Sequence, residues 1–95
     1  VTKEKVLEVF ARYRREVSDY SAARADPKKV IDKLSHEEER AHVAYMCEEG
    51  VRFVEQGRME KAMRWLGFLQ GWLWKSGRYA VQELGEHSMP DEAKA

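Results

Sequence analysis

Ninety-five residues suffice for one domain with a modest core, and a chain that is 43% hydrophobic and 36% charged is not a disordered one. With only two prolines, six glycines and few β-branched residues, the composition favours helix throughout. Seventeen basic residues balance seventeen acidic ones, and without a basic surplus the chain lacks the charge signature of a nonspecific nucleic-acid binder.

The spacing predicts a first helix from about Thr2 to Ala23. Val6, Phe10, Tyr13, Val17 and Tyr20 recur at steps of four and three and make one apolar stripe. Asp26-Pro27 breaks the chain, because the residue before proline is pushed out of the helical region. Pro27 then suits the first turn of a short second helix ending at Leu34. Ser35-His36-Glu37-Glu38 reads as a capping box, in which serine and glutamate each hold the other's backbone N–H. The helix it opens should reach Gln56 and stop at Gly57, with Ala44, Cys47, Val51 and Val54 inward. The next helix should run from about Arg58 to Ser76, with Met59, Ala62, Leu66, Leu69 and Leu73 as its seam and Gly77 as its stop. A short terminal helix, Val81 to His87, completes a domain over residues 1–88, followed by a flexible tail over 89–95. The expected fold is all-α: a small antiparallel bundle of three long helices plus short helical segments.

Charge is unevenly distributed along these elements. Residues 1–34 carry nine Lys/Arg against six Asp/Glu, and residues 35–57 carry two against six. Cys47 stands alone, so no internal disulfide forms, and it sits on an inner stripe with no evident base to activate it. No stretch approaches the ~20 apolar residues of a membrane span, and Val1 to Phe10 holds no apolar run of a signal peptide. A cytoplasmic location is expected.

The segment from Ala62 to Trp74 is too apolar for one buried face. At about 100° per residue, Trp65 and Trp72 share one flank of the seam, Trp74 lies on the other, and Phe68 falls nearly opposite. Gly67 and Gly71 form a small-x-x-x-small step that admits a neighbouring backbone. A helix apolar nearly all round calls for burial all round. Trp65, Gly67, Phe68, Gly71, Trp72 and Trp74 are therefore candidate interface residues of a homo-oligomer.

Basic groups beside aromatic rings can hold a phosphate and stack a base. Arg12, Arg14 and Arg15 flank Tyr13, with Arg24, Lys28, Lys29 and Lys33 following; Lys61, Arg64 and Lys75 surround Phe68, with Arg78-Tyr79 beyond. From these, Arg12, Tyr13, Lys61, Arg64 and Arg78 are the candidate contacts to an anionic, nucleotide-like ligand. Catalysis has less to stand on. His36, Glu39 and His42 give a His-x-x-Glu-x-x-His run, and Glu-x-x-His is the spacing of di-iron carboxylate bundles, but such sites need a second copy and two further glutamates. No second copy exists, so no metal, cofactor or catalytic residue is assigned, and a metal-dependent enzyme is the last of three readings.

The segment Glu60 to Gly71, with Leu73-Trp74 following, resembles a group of small bacteriophage proteins. These share an Arg-Trp-Leu-Gly-Phe-x-Gln-Gly stretch, here Arg64 to Gly71, followed by Glu-Leu-x-x-His, here Glu83 to His87. The likeness takes in His42 through Glu49 and covers roughly the last sixty residues; the first helix adds nothing to it. It implies an accessory role in the host bacterial cytoplasm, including inhibition of host defence by binding a host protein or by sequestering a nucleotide immune signal in an inter-subunit pocket. The larger aromatic surface favours the host protein.

Overall fold

The computed structural model describes residues 2–89, and every regular element among them is helical. They are α1 (Lys3–Glu16), a 3₁₀ turn (Ile31–Lys33), α2 (His36–Glu55), α3 (Met59–Lys75) and α4 (Val81–His87). The tail expected over 89–95 lies, from residue 90 onward, outside the described residues.

Local chemistry sets most of the boundaries. Thr2 Oγ1 accepts the Lys5 N–H at 3.1 Å and opens α1. The capping box of α2 is complete: Ser35 Oγ accepts the Glu38 N–H at 3.0 Å and Glu38 Oε1 accepts the Ser35 N–H at 2.9 Å. Those bonds to Ser35 hold the Glu38 carboxyl below its ordinary pKa. Both long C-termini close in the same way. Gly57 (φ 78°) and Gly77 (φ 81°) take the left-handed conformation. The next residue's N–H then reaches back to close the helix, Arg58 to the Phe53 carbonyl at 2.8 Å and Arg78 to the Leu73 carbonyl at 3.0 Å.

Two expected helices are shorter than the sequence suggested. α1 ends at Glu16, not near Ala23, because the Arg14 guanidinium donates to the carbonyls of Val17 (2.9 Å) and Tyr20 (3.1 Å) and holds that segment as a turn. Val17 is buried all the same, and Tyr20 packs against the core, so the apolar stripe is satisfied without helix. The helix expected from Pro27 to Leu34 shrinks to the Ile31–Lys33 turn. Asp26 accepts the Lys28 N–H at 2.9 Å and fixes a local turn instead. Val30 and Ile31 stay exposed, so no buried face sustains a helix there.

The core runs between α1, α2 and α3, with α1 packed chiefly on α2, α2 on α3, and α4 added against α3. Val6, Phe10 and Tyr13 meet Ala44, Cys47 and Val54 and the α3 seam of Leu66, Leu69 and Leu73. Val51, expected inward, is half-buried, while Val43, Met46 and Phe53 are buried and widen the inner face of α2. Burial pushes the Cys47 thiol up to about 12, which leaves it protonated and suits a packed core residue.

Candidate functional site

The loop from Arg24 to Leu34, α2 and α3 enclose a cavity of about 520 Å³. Its size is that of a small-molecule site. The loop supplies Arg24, Asp26, Lys29, Ile31 and Leu34; α2 supplies Glu39, His42, Tyr45, Met46 and Phe53; α3 supplies Lys61, Trp65, Phe68 and Trp72. Five of these are aromatic, and three cations face two carboxylates.

Helical spacing brings the rings together. Phe53 meets Trp65 edge-on at 4.8 Å, Tyr45 lies 6.3 Å from Trp65, and His42 stacks on Tyr45 at 5.7 Å. Lys61 Nζ sits 4.7 Å from the Phe53 ring centre and 5.9 Å from that of Trp65, a cation held at the aromatic wall. Trp72 donates its indole N–H to Glu39, which occupies one of the two cavity carboxylates. The guanidinium groups of Arg78 (4.8 Å) and Arg40 (5.5 Å) lie against the same indole.

The loop wall is tied to α2 at two points. The Ala23 N–H donates to the Ala41 carbonyl at 3.1 Å, and the Ala25 N–H donates to His42 Nδ1 at 3.1 Å. Burial, with a smaller contribution from Arg24, lowers the His42 pKa and favours the neutral ring that this acceptor role requires.

The five residues read as ligand contacts do not converge. Lys61 alone among them lines the cavity. Tyr13 is fully buried, with its hydroxyl 2.7 Å from His87 Nδ1 and accepting from Gln70 Nε2 at 3.1 Å, so it is a core residue and not a surface contact. Arg12 and Arg78 gather around Tyr79 and Glu16. Arg12 lies 5.5 Å over the Tyr79 ring and its Nε donates to the Tyr79 hydroxyl, which raises the arginine's pKa. Arg78 Nε lies 3.9 Å from Glu16. Arg64 is exposed, 3.5 Å from Glu60, beside Arg58 and Lys61 in a shallow concavity at the start of α3.

The candidate interface residues divide likewise. Trp72 is buried and Trp65 packs partly against the core, and both line the cavity. Phe68 (59%) and Trp74 (56%) are exposed. Gly67 and Gly71 are exposed too, and a Cβ added at either would meet none of the described residues beyond its own helix turn within 4 Å. Glu60, Arg64, Gly67, Phe68, Gly71, Trp74 and Lys75 together form one solvent face of α3.

His36, Glu39 and His42 point to separate partners: His36 Nε2 accepts from Arg40 Nε at 2.6 Å, Glu39 from Trp72, and His42 from Ala25. Among the described residues, no three His, Cys, Asp or Glu side chains come together to hold a metal ion. Nor is any helix among them long and apolar enough to cross a membrane.

The sequence does not mark Tyr45 and Phe53 as site residues, and it groups Arg24 and Lys29 with the basic residues that could hold a phosphate without singling them out as contacts. Tyr45, Phe53 and the α3 aromatics lie at helical spacings that a two-helix alignment exposes, whereas nothing local indicates that the loop folds back onto His42. Comparison with protein families, with characterised proteins and with solved structures finds no match to this chain.

Proposed function

We propose that this chain is a non-enzymatic, homo-oligomeric bacteriophage accessory protein that acts by binding, and that its cavity takes a small anionic ligand with a planar ring, of the nucleotide class. The observation that carries this reading is the cavity's make-up: five aromatic rings for stacking, with Arg24, Lys29 and Lys61 to meet phosphate. A concave site of this size suits a small molecule better than a flat protein surface does. Sequestering a nucleotide signal of host defence in the bacterial cytoplasm fits such a site and the resemblance of the α3 segment to phage proteins.

Self-association draws its support from the solvent face of α3. Phe68 and Trp74 are costly to leave in water, and two interior glycines cost a helix about 1 kcal/mol each relative to alanine. Among the described residues, no contact accounts for those glycines. Close approach of a second copy, on an antiparallel bundle, does. A host protein as the occupant of that same face is the second reading, favoured by the exposure of Phe68 and Trp74.

Native mass spectrometry of protein purified from its host without denaturation tests both parts. An oligomer carrying an adduct of nucleotide mass, lost in Lys61→Ala, is the expected result. A bare oligomer that also fails to bind AMP, GMP or a dinucleotide by calorimetry removes the ligand reading, and a monomer with a co-purifying protein replaces it with the host-protein one. Phe68→Glu should lower the oligomer mass; an unchanged mass takes Phe68 out of the interface.

A further inference from the structure

The loop that forms one wall of the cavity is joined to α2 by an acceptor that a proton abolishes. Ala25 donates its backbone N–H to His42 Nδ1 at 3.1 Å, which requires the neutral tautomer with its proton on Nε2. A proton on Nδ1 would turn this acceptor into a donor facing another donor. Among the described residues, this bond and the Ala23–Ala41 bond are the backbone ties of this segment to α2, while Val30 and Ile31 are exposed and the Asp26 turn is internal to the loop.

We propose that the 24–34 loop is a pH-sensitive strap on the cavity, latched by the Ala25–His42 hydrogen bond and released when His42 takes up a proton. The inference rests on the cavity being a ligand site, since the strap then governs how its contents exchange. The titratable groups that line the cavity with His42 are Arg24, Asp26 and Lys29 from the loop, Glu39 and Tyr45 from α2, and Lys61 from α3. Tyr45 is stacked on the ring and Glu39 is engaged by Trp72, while Arg24 opposes a second positive charge. The sign follows. Because the folded His42 pKa lies below the ordinary value of about 6.5, the latch and its contribution to stability are whole above that value. Both are lost as pH falls through the lowered folded value. A charged His42 also attracts an anion, opposing any loss of affinity, so release is best read on the loop itself.

The test is an NMR titration of the ligand-free protein from pH 8 to pH 4.5. The His42 ring should titrate with a midpoint below 6.5, and the Ala25 amide proton should shift with the same midpoint while the heteronuclear NOE of residues 24–34 falls. In His42→Gln, whose side-chain oxygen accepts without titrating, the Ala25 response should vanish. An Ala25 amide that stays fixed while His42 titrates overturns the latch. So does a ring that remains neutral to pH 4.5, or an undiminished Ala25 response in the folded variant. Calorimetry with AMP, GMP and a dinucleotide at pH 7.5 separates the two readings. A titrating strap without nucleotide binding leaves the strap and removes the ligand; binding with an invariant loop does the reverse.

Discussion

Tyr13 on α1 and His87 at the end of α4 are joined by a 2.7 Å contact between the phenol oxygen and Nδ1, across 74 positions of sequence. Gln70 on α3 reinforces it, donating to the Tyr13 hydroxyl at 3.1 Å and to the Leu84 carbonyl at 3.2 Å. Tyr79 closes the cluster with its ring edge-on to His87 at 4.7 Å. A seven-residue helix has little stability of its own, and this polar knot and the burial of Leu84 and His87 help to dock α4.

Tyr13→Phe keeps the ring and removes the hydroxyl. The loss of two bonds in a buried site should lower stability by about 1–2 kcal/mol, read as an earlier urea midpoint by circular dichroism. Hydrogen exchange should show the α4 amides losing protection before those of α2. A midpoint equal to wild type would mean that the Tyr13 hydroxyl contributes nothing to holding α4.

Gly50 lies on the buried face of α2 against Phe10. A Cβ built there would come within 2.3 Å of the Phe10 ring, and Phe10 is fully buried. Gly50→Ala should therefore destabilise by about 1–3 kcal/mol through overpacking, despite alanine's better helix propensity. Phe10→Leu should restore part of that loss in the double variant, a coupling measurable by a double-mutant cycle. Additive losses would place the clash elsewhere.

Gly67 and Gly71 make the opposite case. With open space around each, Gly67→Ala and Gly71→Ala should each stabilise an isolated protomer by up to about 1 kcal/mol. If a second copy approaches along this face, the same changes should weaken association several-fold in analytical ultracentrifugation. Gains in stability with undiminished association would remove the glycines from the interface.

What could be read from the sequence was whatever depends on neighbours a few positions apart. The Ser35–Glu38 capping box, the glycine stops at Gly57 and Gly77 and the α3 seam are all interactions within a turn or two, and all stand where the spacing put them. The 3.6-residue period also identified Val6, Phe10, Tyr13 and Val17 as a buried stripe, although it could not tell that Val17 reaches the core from a turn. Tertiary structure decided the rest. The Arg24–Leu34 loop lies against α2, tied by Ala25 to His42 seventeen positions away and, just before it, by Ala23 to Ala41, and it supplies one wall of the cavity. Tyr13, on the buried stripe yet flanked by arginines, also read as a ligand contact, and its partners on α3 and α4 show its hydroxyl to be engaged inside. Trp65 and Trp72 share a flank as the helical period requires, but it took the packing of α3 on α2 to turn that flank toward the cavity, with Phe68 exposed at its edge and Trp74 exposed outside it. Periodicity orders the faces of one helix; which face meets which is settled only when distant segments compete for the same buried space.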